Sequence, residues 1–238
     1  MNLLKFILKL IRIFFFKFGY DVKKSDFVFL NNILINKNID CFLDIGAFQG
    51  DFAKNLILSG YKGKIISFEP VSENHNKLKS KAQKFKNWEV YKRIGLGDKR
   101  EFLKINVSEN LQSSSFLRNN LAHVKLLNES KYKYSEDCEI ILLDDLYDKL
   151  TLSYKNIFLK IDAQGFEKKI INGGSKIINI CKGIICEVNN EILYENDTHW
   201  KEMIKTFEDQ NFKLHSIRDA YTDTKSGKTI QFDVIFVR

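Results

Sequence analysis

Proline is almost missing from this chain. Pro70 is the only one among 238 residues, so no proline-rich linker divides it and one folded unit is expected. Cysteine is scarce and scattered. Cys41, Cys138, Cys181 and Cys186 form no Cys-x-x-Cys pair, and the four histidines do not cluster around them. Zinc and dithiol sites need such spacings, so four reduced, buried thiols in a cytoplasmic protein are expected instead. There is no internal repeat. There is also no interleaving of aromatic and basic residues of the kind that marks RNA-binding surfaces, so nucleic acid is not an expected partner. The apolar stretch near the start is not followed by a small-residue cleavage site, which argues against a secretory signal.

What is present describes a globular protein. Hydrophobic residues make up 44% of the chain, and Lys+Arg outnumber Asp+Glu by 38 to 30, a formal net charge of +8. Most of that excess is lysine on expected helix surfaces. The segment LLKFILKLIRIFFF (residues 3 to 16) is strongly apolar but carries Lys5, Lys9 and Arg12. At about 100° per residue these three charges share one narrow helical face. The run is too short and too charged to span a bilayer. Two readings stay open: a helix packed on the core or on a second subunit, or a peripheral membrane contact through residues 1–18. The expected organisation is an N-terminal helical segment, 1–37, followed by one domain, 38–238.

Beyond a helix over 25–36, strands alternate with helices. Strands are expected at 40–45, 64–68, 88–92 and 102–107. Helices are expected at 51–59 and 72–85, the second capped by Ser72 and Asn74. The region 108–136 is polar and irregular, as lids and binding loops often are. Strands follow at 139–142, 157–161 and 183–188, with helices at 166–178 and 200–207. An antiparallel pair, 212–217 and 232–237, closes the chain. This pattern predicts an α/β fold: a doubly wound, seven-stranded, mostly parallel sheet with an antiparallel last strand.

Ligands of such sheets bind outside the carboxyl ends of the strands. The first of these ends reads Asp44-Ile45-Gly46-Ala47-Phe48-Gln49-Gly50, a glycine turn between a buried strand and a helix. Gly46, Ala47 and Gly50 suit a backbone that approaches a ligand closely. A dinucleotide fingerprint has glycine where Asp44 stands, which argues against an NAD-dependent oxidoreductase. A carboxylate there suits a ligand with a cationic amino acid moiety. The pattern Asp-x-Gly-x-x-x-Gly resembles motif I of S-adenosylmethionine (SAM) methyltransferases.

The remaining strand ends extend that site. Glu69 is placed to accept from the ribose hydroxyls of an adenosyl group. Leu96, beside Gly97, is placed to cover the adenine and Asp98 to accept from its amine. Asp162 can meet the ligand's amino end or orient an acceptor. With Glu167 and Glu187 it forms an acidic rim that could hold a divalent cation. His123, Asp162 and Glu187 are the candidate general bases; Glu167, in a first helical turn, equally suits the helix dipole.

Taken in order, DIGAFQGDFA, SFEPVSENHNKL, GLGD, SSSFL, LDDL, NIFLKIDAQGFE and CEVNNEILYE resemble the FkbM family of SAM-dependent methyltransferases across roughly residues 38 to 190. The resemblance implies a Rossmann-like class I methyltransferase fold, SAM as cofactor and O-methylation of sugars or polyketide-type natural products. A sugar of a bacterial surface glycan or polysaccharide is the favoured acceptor; the rival from another class is a non-catalytic scaffold that keeps the fold, against which intact Asp44, Gly46, Glu69 and Asp162 argue. The resemblance also marks one departure: Gln164 stands where many members carry glutamate. A cytoplasmic enzyme, at the inner membrane face if the N-terminal segment binds lipid, and oligomerisation remain expectations.

Overall fold

The structure is a computed structural model that describes residues 3–238, so the first two residues of the N-terminal segment lie outside the described residues. The strands are β1 (Cys41–Ile45), β2 (Lys64–Phe68), β3 (Trp88–Val90), β4 (Gly95–Gly97), β5 (Glu101–Ser108), β6 (Tyr132–Leu142), β7 (Ile157–Ile161), β8 (Gly183–Asn189), β9 (Lys213–Asp223) and β10 (Lys228–Val237). The helices are α1 (Leu3–Phe16), α2 (Asp26–Asn36), α3 (Asp51–Leu58), α4 (Ser72–Ala82), α5 (Leu121–Leu126), α6 (Tyr147–Ser153), α7 (Glu167–Asn172), α8 (Ser175–Ile180) and α9 (Trp200–Glu208).

Seven strands form one sheet in the order β3-β2-β1-β7-β8-β10-β9. The first five are mutually parallel, and β10 runs antiparallel to both its neighbours. The parallel strands are short and apolar because helices cover both sheet faces. In β1, Cys41, Leu43 and Ile45 enter one core, while Phe42 enters the other against Leu30, Leu34 and Leu56. Phe42 and Phe158, on adjacent strands, stack with ring centroids 5.7 Å apart. The chain reverses between β1 and β2 on one side and β7 on the other. That switch opens a crevice above the ends of β1 and β7.

The expected parallel strands, the closing antiparallel pair and the α/β class are all present. Four local expectations are corrected. The strand expected at 102–107 belongs to a separate three-stranded sheet, β4-β6-β5. The strand expected at 139–142 begins at Tyr132, which shortens the irregular middle region. The helix expected at 166–178 is two helices broken at Gly173-Gly174, where a Cβ on Gly173 would lie 1.9 Å from the Gly97 carbonyl oxygen. The α4 N-terminus is not capped by its own side chains. Glu136 of β6 reaches across to accept from the Ser72 amide (2.6 Å) and hydroxyl, so the cap is a long-range contact. Carboxylates suit this position because first-turn amides lack partners.

The N-terminal helix does not pack on the core. The described side chains from Leu3 to Tyr20 are all exposed.

Candidate functional site

The turn after β1 is built on Gly46, whose φ is +75°. A Cβ there would lie 1.6 Å from the backbone oxygen of Asp162, so β1 and β7 meet where no side chain fits. The amides of Gly46, Ala47, Phe48 and Gly50 are not free for a ligand, contrary to expectation. Gly46 and Ala47 donate to the Phe68 carbonyl at 3.1 and 3.0 Å. Phe48 donates to Glu69 Oε2 at 2.8 Å. Gly46 therefore borders the crevice with its backbone, while the space a side chain would need is taken by the Asp162 carbonyl. Ala47 is buried in the opposite core. Gly50 is required by packing, since a Cβ would come within 2.6 Å of Leu78 and Trp88.

Asp44 is also displaced from its expected role. It is fully buried, on the sheet face away from the crevice. Its Oδ2 accepts from Ser67 Oγ at 3.0 Å, and Oδ1 lies 3.7 Å from Lys160 Nζ. Burial pushes its carboxyl up, while Lys160 and Ser67 pull the other way. Lys160 stands beside it in register on β7 and also reaches Asp162 Oδ2 (3.1 Å) and the Gly46 carbonyl (3.4 Å). Burial alone would discharge this ammonium, but Asp162 and Asp44 hold its pKa above the usual lysine value. Asp44 thus anchors the cation that ties the glycine turn to β7. Lys160 went unnoticed in the sequence, although a lysine inside the apolar run NIFLKID was a visible signal.

The crevice is a cleft bordered by Gly46, Phe48, Glu69, Leu96, Phe116 and Asp162, among others. Glu69 is buried, and Oε1 accepts from the Val71 amide at 3.0 Å. Burial outweighs these hydrogen bonds and pushes its pKa up to about 8. Leu96 and Ile94 supply an apolar wall, and Gly97 sits behind it against Ile140 and Phe166. Asp98 does not border the cleft. It pairs with Lys169 of α7 at 3.1 Å, near the surface. The SSSFL segment supplies the opposite wall: Phe116 borders the cleft, and Ser115 Oγ donates to the Gln164 carbonyl at 2.7 Å.

Beyond Asp162 lies a second polar group. Gln164, held at φ +52°, donates through Nε2 to Asp162 Oδ1 (3.0 Å) and Glu187 Oε2 (2.8 Å). Its Oε1 accepts from the Tyr194 hydroxyl at 2.7 Å. Gln231 Nε2 donates to Glu187 Oε2 as well, at 2.9 Å. Burial, then the nearby Asp162 and Asp233, raise the Glu187 carboxyl well above its ordinary value. Tyr194 and Gln231 escaped sequence reasoning because only the fold brings β10 and the segment after β8 to this point.

Two further candidates resolve into structural groups. Glu167 accepts from the amides of Ala163 (2.7 Å) and Gly165 (3.3 Å) and so shapes the turn before α7. His123 lies buried on α5, edge-on to Tyr194 at 4.9 Å, with its Nδ1 unpartnered. Burial lowers its pKa to about 4, so it is neutral, and it does not border the cleft. No group of three or more His, Cys, Asp or Glu among the described residues is placed to hold a metal ion. Between Asp162 and Glu187 stands the Gln164 amide.

A sheet of this strand order, parallel but for its closing strands, with a cleft at its switch point, defines the class I SAM-dependent methyltransferase fold. The family model for the methyltransferase FkbM domain matches residues 44–214, and the chain belongs to that family. No curated protein matches it. Among solved structures it is similar to magnesium protoporphyrin IX methyltransferase from Synechocystis PCC 6803 with bound SAM (10% identity, 97% of this chain and 96% of that chain, TM-score 0.48). It is also similar to a SAM-dependent methyltransferase from Aquifex aeolicus (15% identity, 86% and 87%, TM-score 0.44) and to Aeropyrum pernix fibrillarin with bound SAM (10% identity, 83% and 66%, TM-score 0.47).

Proposed function

We propose that this methyltransferase acts on a hydroxyl of a sugar, in a bacterial surface glycan or polysaccharide, with Glu187 as the general base. The observation that carries the proposal is the environment of Glu187. Glu187 stands one residue behind the cleft wall: two side-chain amides donate to its Oε2, from Gln164 and Gln231, and Gln164, which borders the cleft, links it to Asp162. A carboxyl held above its ordinary pKa accepts a hydroxyl proton more readily than an ordinary one.

The groups that line the cleft suit SAM. Gly46 and Phe48 line the cleft floor, Glu69 presents a carboxylate for two ribose hydroxyls, and Leu96 with Phe116 forms an apolar slot for a flat base. SAM supplies an electrophilic methyl on a good leaving group. The chain's own residues position the acceptor oxygen and take its proton.

Calorimetry with SAM and S-adenosylhomocysteine, followed by transfer of labelled methyl to sugars and polysaccharide fragments, tests this function. Methylation of a sugar hydroxyl is expected. Binding of both nucleosides with transfer only to non-sugar acceptors sinks the acceptor assignment, and binding of neither points to a non-catalytic scaffold.

Three variants dissect the site. The ionised form of Glu69 is the better acceptor for ribose hydroxyls. SAM affinity is therefore expected to rise with pH up to about 8 and level above it. Glu69→Gln flattens this dependence and weakens binding by about tenfold to a hundredfold, the worth of hydrogen bonds to a charged group. Asp98→Asn leaves SAM affinity within about a factor of two, because the side chain pairs with Lys169 rather than facing the cleft. Glu187→Gln lowers kcat by about 10²- to 10⁴-fold with SAM affinity retained. It also removes a limb of the pH profile that rises with pH above the ordinary glutamate value of 4.5. A kcat unchanged by Glu187→Gln moves the base elsewhere.

A further inference from the structure

We propose that α1 is an interfacial anchor that lies in the headgroup region of an anionic membrane. The inference does not depend on the acceptor. Large apolar side chains on α1 stand in open space: Phe14 is 58% exposed and Phe16 75%. A helix of 14 residues is marginal in water without a surface to cover its apolar side. Something outside this chain must supply that surface.

Charge decides between the occupants. From Leu3 to Tyr20 the chain carries Lys5, Lys9, Arg12 and Lys17 and no acidic residue; the next residue, Asp21, pairs with Arg12 at 3.5 Å in an exposed ion pair, and the stretch through Asp21 keeps a net charge of about +3. A second copy of α1 offers these cations no opposite charge. The three cations on the helix itself fall within about 60° of arc, which leaves roughly 300° apolar. A seam between two helices covers a much narrower stripe and would leave most of these side chains in water. A lipid interface covers the wide arc, while lysine and arginine extend their charged heads to anionic phosphates. The helix is about 21 Å long, shorter than the roughly 30 Å hydrocarbon layer, and no helix among the described residues is long and apolar enough to cross a membrane. It therefore lies along the surface rather than through it.

Sedimentation of the full chain with vesicles tests the proposal. Vesicles of equimolar phosphatidylglycerol and phosphatidylcholine should take up the protein, and pure phosphatidylcholine should take up far less. The triple variant Lys5→Gln, Lys9→Gln, Arg12→Gln should lower partitioning by about a hundredfold. Phe14→Ser should lower it by about tenfold. SAM affinity serves as the folding control, because α1 contributes no residue to the cleft. Equal uptake by neutral and anionic vesicles, or no uptake by either, overturns the proposal. So does sedimentation velocity that shows a dimer abolished by Phe14→Ser without vesicle binding, which assigns the helix to self-association.

Discussion

Gly46→Ala is expected to abolish measurable SAM binding and to destabilise the fold by several kcal/mol. Two costs coincide at this residue. Its φ of +75° is a left-handed conformation that a side chain disfavours by about 1–2 kcal/mol. The added Cβ would also lie 1.6 Å from the Asp162 backbone oxygen, a distance no relaxation of a side chain can relieve. Either β1 and β7 separate at their ends or the turn rotates, and both movements reshape the cleft at its centre. Gly227→Ala is the control. Gly227 has a similar φ of +70° but nothing within 4 Å of an added Cβ, so it should cost only the conformational part, about 1 kcal/mol. Thermal unfolding and calorimetry on both variants check the comparison. Equal destabilisation of the two would mean that strain in the backbone, rather than contact with Asp162, accounts for the glycine.

Lys160→Met is expected to cost about 3–5 kcal/mol of stability, the usual result of removing one partner from a buried ion pair. Lys160 and Asp44 are both buried, and Asp162 is half-buried, so the loss leaves two carboxylates close together in a site with little water. The cost should depend on pH. Without the ammonium, Asp44 is ionised in the folded protein only with difficulty, so the folded state keeps a proton that the unfolded chain releases above its ordinary value of 3.8. Stability relative to the parent therefore falls as pH rises above that value, and the penalty is smallest in acid. Denaturant midpoints across pH measure it. A cost that does not change with pH would indicate lost packing, for example against the Phe52 ring 5.2 Å from Nζ, rather than an uncompensated carboxylate. SAM affinity should fall along with stability, because Lys160 also holds the Gly46 carbonyl.

These expectations separate what was legible in the sequence from what was not. The parallel strands were legible because both their faces are buried, and the resulting apolar runs are short and bounded by glycine, proline or charge. Acidic residues at strand ends were legible as a group for the same reason, since a carboxylate at the end of a buried strand interrupts an otherwise apolar run. Which of them faces the cleft was not. Glu69 and Asp162 border it, but Asp44, one residue before the turn, points to the other side of the sheet. Strand residues alternate between faces, and a shift of one position decides between contact and burial. Asp98 shows the same limit. The sequence places it beside Leu96, but the position of α7 decides that it meets Lys169.

The sequence by itself determined the class of fold, the family and the stretch of chain that forms the cofactor cleft, because strand periodicity and motif order are local properties. Tertiary structure alone decided how the charges are paired. Lys160 joins Asp44 to Asp162 across two strands, Gln164 stands between Asp162 and Glu187, and His123 is shut away behind Tyr194. The physical reason is that a buried charge is tolerable only beside its partners, and those partners come from strands and loops far apart in the chain.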